Sequence, residues 1–193
     1  MKRTLALLSL LLVLTCAACH RDYTPKPVAY LRFDFPDHQY ARCDTAPLPF
    51  TFERATLANV TLKRNTPREI YLDLGYPQYK GYVFLTYKPL HGPEDLRAQV
   101  DTSYELMKQH FDYSTGVDEH RFVNPAGHVY ATTYRLKGSS VASTYQFWAT
   151  DSTRHFLRGA LFLDCVPNND SLAPLLDYLQ ADMDHLLESL EWR

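Results

Sequence analysis

The sequence predicts an α+β domain: an antiparallel β-sheet covered by two main helices. Three observations predict it. Short β-prone segments separated by polar or proline-bearing turns fill the chain before residue 90 and recur beyond residue 118. Two longer segments carry apolar residues at three- and four-residue steps, as a helix with one buried face does. The later strands are joined by connections too short for parallel crossovers, which makes them antiparallel. Strands, helix, strands, helix is an α+β order.

The chain opens on a different signal. Met1-Lys2-Arg3 is basic, Leu5 to Leu14 is apolar apart from Ser9, and Cys16-Ala17-Ala18-Cys19 follows. A bilayer span needs about 20 apolar residues, so this run is a secretory signal peptide. Small residues leading into a Cys are what a lipoprotein signal peptidase requires. The thiol takes a diacylglyceryl group, the chain is cut before it, and the new amine is acylated. Cys19, preceded by Ala17 and Ala18, is the expected lipidation site. Cys16 is the alternative, with a suitable Val13 three back but Thr15 at the cleavage position. The chain then divides into a lipoprotein signal peptide (1–18), an acylated Cys with a Pro-containing tether (19–28), and one globular domain (29–193). An ordinary signal peptide cut after Ala18 would instead release a soluble periplasmic protein.

The tether, through Pro25-Lys26-Pro27, favours extended geometry and lifts the domain from the bilayer. Each buried acyl methylene contributes about 0.8 kcal/mol, so two or three chains hold it to one membrane surface. The formal charge of −2 becomes −4 once Lys2 and Arg3 leave with the signal peptide. A nucleic-acid footprint needs a basic face, so nucleic acid is not an expected partner. Hydrophobic content of 46% and charged content of 22% are those of a globular chain.

Within the domain, Phe50–Glu53, Ala58–Leu62 and Glu69–Leu74 read as short strands, and Tyr82–Tyr87 as a central one. A helix starts after Gly92, with Pro93 in its first turn and Glu94 and Asp95 at the positive end of its dipole. Leu96, Val100, Tyr104, Met107 and Phe111 form its stripe. Strands follow around Glu119–Val123, His128–Leu136, Val141–Thr150 and His155–Cys165, with turns at Gly138-Ser139 and Asp151-Ser152. Tyr130 and Tyr134 share a strand face and read as packing. A last helix opens at Asp170-Ser171, a capping pair, with Pro174 in its first turn. Leu172, Leu175, Leu176, Leu179, Met183, Leu186, Leu187 and Leu190 build its buried face, and Asp177, Gln180, Asp182, Asp184 and Glu188 face water. This order resembles the PsbP-like fold, a likeness that says nothing of function.

Cys43 and Cys165 are the other two cysteines of the exported part. An oxidising periplasm permits one bond between them, and two separate buried thiols are the other reading.

Motifs for chemistry are few. There is no Gly-x-Ser-x-Gly elbow, no His-Glu-x-x-His, no Gly-rich phosphate loop and no Cys-x-x-Cys beyond the signal region. In Asp182-Met183-Asp184-His185 the spacing on a helix does not converge on one ion. In Asp118-Glu119-His120, strand alternation sends Glu119 away from its neighbours. Ser139, Ser140 and Ser143 lack the context of an activated nucleophile. No catalytic residue, metal ligand or cofactor is expected. The aromatic density from Tyr30 to Pro36 and at Tyr40 suggests either a docking strip, with Tyr30 and Tyr40 as partner contacts, or a first strand packed on the sheet edge.

Several segments resemble the gliding motility lipoprotein GldD family: Pro25-Lys26-Pro27 leading into Ala29-Tyr30-Leu31-Arg32, Phe50-Thr51-Phe52-Glu53, and Gln146-Phe147 with Thr150-Asp151-Ser152. His155 to Phe162, Pro167-Asn168, Asp170-Ser171 and Leu190-Glu191-Trp192 extend the likeness over almost the whole exported chain. The resemblance implies a cell-envelope lipoprotein needed for surface gliding and the associated type IX secretion route. It acts there with other gliding and secretion lipoproteins and membrane components, and its role is structural. A periplasmic glycan or peptidoglycan binder is the alternative and needs an aromatic-lined concave surface. A lipid-anchored hydrolase is a further one and needs converging titratable groups.

Overall fold

The protein, as a computed structural model, is described over residues 32–43 and 48–193. The expected signal peptide, both candidate lipidation residues Cys16 and Cys19, the tether and Tyr30 lie outside the described residues. Among these residues no helix is long and apolar enough to cross a membrane.

The strands are β1 (Tyr40–Arg42), β2 (Phe50–Thr51), β3 (Glu53–Ala55), β4 (Asn59–Asn65), β5 (Ile70–Tyr76), β6 (Gly81–Pro89), β7 (Gly116–Asn124), β8 (Val129–Lys137), β9 (Tyr145–Thr150), β10 (His155–Leu163) and β11 (Glu191–Trp192). Helix α1 (Pro93–Lys108) lies between β6 and β7, and α2 (Asn169–Glu188) precedes β11. Seven strands form one antiparallel sheet in the order β4-β5-β6-β10-β9-β8-β7, while β1 pairs with β3 and β2 with β11. This is the expected α+β domain, an antiparallel sheet with helices against it.

Strand alternation divides the core. Leu72, Leu74, Val83, Leu85, Phe147, Leu157 and Leu161 point to the α2 side and meet Leu175, Leu179, Met183 and Leu186. All the leucines predicted for the α2 stripe are buried there. The other face packs a smaller cluster of Met107, Tyr134, Leu136 and Val141. One glycine is fixed by this packing: a Cβ on Gly159 would fall inside the Phe147 ring directly across the strands.

Several expectations need correction. Of the predicted α1 stripe only Met107 is buried, and Tyr104 is 44% exposed, because α1 covers just part of the sheet. Tyr134 is buried as packing, but Tyr130 on the same face is exposed. The segment before Tyr145 is a loop instead of strand: Gly138 takes φ 134°, and Asn169 Nδ2 donates to the carbonyls of Gly138 and Val141. Helix α2 is capped at Asn168 by backbone alone, and Pro174 lies inside it, where it removes one intrahelical hydrogen bond.

No disulfide joins Cys43 and Cys165. Cys43 is buried beside Phe52, whose neighbour Glu53 touches His185 and Ser189 at the end of α2. Exposed Cys165 precedes the start of α2 and lies near Leu172. The thirteen residues from Leu172 to His185 span about 20 Å of helix, and a disulfide needs Cα atoms within about 7 Å.

Candidate functional site

The chain entering the domain is a strap laid along α2. Phe35 stacks on Tyr178 at 4.6 Å, His38 on the same ring at 4.2 Å, and Tyr40 on His185 at 3.5 Å. Arg42 then pairs with Glu191 at 2.9 Å. The contacts move from Tyr178 to His185, about two helical turns on, and then to Glu191 just past the helix end, so strap and helix run in the same direction. Strap contact begins by Tyr79 in the β5–β6 turn, at the end of the sheet where α2 starts.

Beneath the strap lies a buried carboxylate. Asp182 is 3% exposed, and its Oδ1 meets His38 Nδ1 at 2.7 Å. Burial, with the Asp182 carboxylate adding to it, raises the Tyr40 and Tyr76 hydroxyls far above the ordinary phenol range. The water-facing role expected of Asp182 is therefore wrong. It lies three residues past Leu179 and four before Leu186, on the buried face of α2. Tyr40, expected as a partner contact, is only partly exposed and is held by His185.

The other end of the sheet carries a groove of about 790 Å³. Strands β6, β8 and β10, nine residues each, place it about 30 Å from the strap's entry. Its walls come from the β7–β8 turn at Asn124 and His128, the β9–β10 turn at Asp151 and Arg154, and the chain end at Glu188 and Trp192.

The β9–β10 turn is built on Asp151. Its Oδ1 accepts from the N–H groups of Thr153, Arg154 and His155 at 2.9, 2.7 and 2.9 Å, and its Oδ2 accepts from the Thr153 hydroxyl. Burial opposes the charge, but these donors prevail and hold the carboxyl down at about 2. His155 is buried with Nδ1 2.9 Å from the Tyr87 hydroxyl, and its ring stacks on Trp192 at 5.2 Å. Burial lowers its pKa, and burial pushes Tyr87 up to about 12. Trp192 Nε1 donates to the His128 carbonyl at 3.1 Å. Asp151 at the rim, and His155 and Tyr87 beside it, are thus engaged in holding a turn and a ring in place.

The clusters weighed for chemistry are dispersed. Asp182 turns to His38, Asp184 to Arg135 and Tyr145, and His185 to Glu53. Asp118 pairs with Lys137 at 2.8 Å. Ser143 is fully buried, while Ser139 and Ser140 are exposed at the strap-entry end. Among the described residues no group of three His, Cys, Asp or Glu side chains could hold a metal ion.

Sequence reasoning missed the groove, because three separate turns and the chain end form it. Some of the segments behind the family resemblance meet there, while Pro167-Asn168 and Asp170-Ser171 lie at the opposite end, where α2 starts. Phe50-Thr51 pairs with Glu191-Trp192, Asp151 caps the turn, and His155 stacks on Trp192. Gln146-Phe147 pairs with Ala160 and Gly159 across the strands, and Gln146 Oε1 accepts from Arg158 on the diagonal at 2.6 Å.

No curated protein matches the chain. The sequence model of the gliding motility lipoprotein GldD matches residues 20–192. The groove, the cap beneath it and the paired strand segments all lie within that span, and the chain belongs to the gliding motility lipoprotein GldD family.

Proposed function

We propose that this protein is a non-catalytic structural component of the gliding machinery and its associated type IX secretion route. Acyl chains on Cys19 hold it to a membrane facing the periplasm, with Cys16 as the alternative site. It works there by contact with other envelope lipoproteins and membrane components. The observation that carries this reading is the direction of the strap. With Phe35 against Tyr79 near the start of the described chain, an anchor on its N-terminal side would leave the groove at Asp151 and Trp192 on the far side, about 30 Å further from the membrane. Such a groove suits reaching a neighbour across the envelope.

The test is complementation of a strain lacking the protein, reading spreading, secreted adhesin and membrane-bound protein level together. Cys19→Ala is expected to abolish palmitate labelling, gliding and secretion, and Cys16→Ala to preserve all three. Exposed groove changes such as Arg154→Glu are expected to lower crosslinking to envelope neighbours at normal protein level. A single Asp, Glu or His substitution that leaves crosslinking intact but stops gliding would favour a hydrolase. Glycan in the captured material would favour the binder, for which the groove beside Trp192 is the natural seat.

A further inference from the structure

We propose that the open half of the sheet beside α1 is a docking surface for an acidic segment of a partner protein, whose carboxylate pairs with Arg158. Strand register puts Tyr82, Phe84 and Thr86 of β6 on one face with Phe156, Arg158 and Phe162 of β10. Helix α1 packs on β9 and β10. Beside it Tyr82 and Phe84 stack at 6.0 Å and are each 40% exposed. Phe162 lies against Phe84 at 5.6 Å, and His110 against Phe162 at 6.1 Å. The result is an aromatic floor edged by a cation.

That cation lacks a counter-charge. Arg158 donates to Gln146 Oε1 at 2.6 Å, and no carboxylate among the described residues pairs with it. Gln146 is 2% exposed, and its Nε2 has no acceptor. Burial lowers the Arg158 pKa without an offsetting carboxylate, and burial plus Arg158 lowers that of His110. A guanidinium withdrawn from water without a partner is costly, as is a buried amide donor without an acceptor. The two deficits sit side by side on β9 and β10, and of the two groups Arg158, only partly buried, is the one an external anion can reach.

The geometry selects the occupant. A planar guanidinium binds a carboxylate through two parallel bonds, and the neighbouring rings offer apolar contact to side chains on either side. A charged lipid surface would draw on several exposed cations, whereas Arg158 is recessed, and Lys88 further along the same face acts on Glu69. Extension of the sheet at β4 is disfavoured, since a register break between Leu62 and Arg64, with Lys63 there, blunts that edge. Arg158 lies on β10, the central strand of the seven, out of reach of either edge, so a partner that pairs with it lies across the face.

The test uses full-length protein in cells, with a benzophenone amino acid replacing Tyr82. The expected adduct is a protein segment with Asp or Glu beside apolar residues. Arg158→Glu is expected to cut it at least tenfold at normal membrane level, and reversing the mapped carboxylate to Arg is expected to restore it. Thr86→Glu gives an independent readout, because Thr86 lies directly across from Arg158. It supplies the missing charge internally, so melting temperature is expected to rise by about 3 °C and the adduct to disappear. An adduct with lipid or glycan, an adduct indifferent to Arg158→Glu, or a Thr86→Glu protein no more stable than the parent overturns the proposal. If Arg158→Glu fails to accumulate, the Thr86→Glu pair of readouts decides.

Discussion

Replacing Asp151 with Asn removes the charge on which three backbone N–H groups and the Thr153 hydroxyl converge. The Asp151 carboxyl is held at about 2, against an ordinary value of 3.8. Each unit of difference is worth about 1.4 kcal/mol, which gives about 2.5 kcal/mol; screening by solvent at this surface turn reduces the contribution of the ionised cap to about 2 kcal/mol at neutral pH. In a protein of this size 1 kcal/mol moves the melting temperature by about 2–4 °C. Asp151→Asn is therefore expected to melt about 4–8 °C lower at pH 7. The pH dependence has a definite sign. The folded-state pKa lies below the unfolded one, so the stabilisation is complete above about pH 4 and is lost as pH falls through about 2. Thermal melts of parent and variant from pH 7 down to pH 2 should show the gap narrowing below pH 4. A gap that stays constant over that range would mean that charge is not what holds the turn, and the reasoning would fail.

Gly159→Ala is expected to destabilise by about 1–3 kcal/mol through overpacking against Phe147, measured by denaturant melts; an unchanged midpoint would contradict the close approach. Leu179→Asp, fully buried on α2, is expected to remove the protein from cells, with immunoblotting as the check. Tyr40→Ala is expected to loosen the strap, seen as faster protease cleavage between residues 32 and 42, because its ring rests on His185; unaltered cleavage would sink that assignment. Non-reducing mass mapping is expected to find no Cys43–Cys165 peptide pair.

Much of the fold was legible because periodicity reports burial. The leucines of α2 recur at helical spacing and are buried, and the strand from Tyr82 alternates as its position inside the sheet requires. Asp182 reads as water-facing on its charge, although it stands three residues past Leu179 and four before Leu186, on the buried face. The partner that resolves the conflict, His38, lies 144 residues away, and no local pattern announces it. The weak burial of α1 was hidden for a similar reason: a stripe states that a face is apolar, not that a surface exists to cover it. The groove required three turns and the chain end to meet. Only some of the resemblance segments hinted at it: Phe50-Thr51, Asp151 and Glu191-Trp192 are scattered in sequence and meet in space.

The shared direction of strap and α2 has a mechanical consequence. Tension reaching Arg32 from the N-terminal side, directed away from the groove, acts along the strap's own axis. The rings of Phe35, His38 and Tyr40 and the β1–β3 pairing are then loaded together in shear. A strap laid in the opposite sense would be peeled, one contact yielding before the next was strained. Contacts that are individually modest share the force in this arrangement, and the pull passes into the side of the longest helix, which is packed across the sheet. A domain attached in this way transmits a pull from its attachment point to its far end with little change of shape.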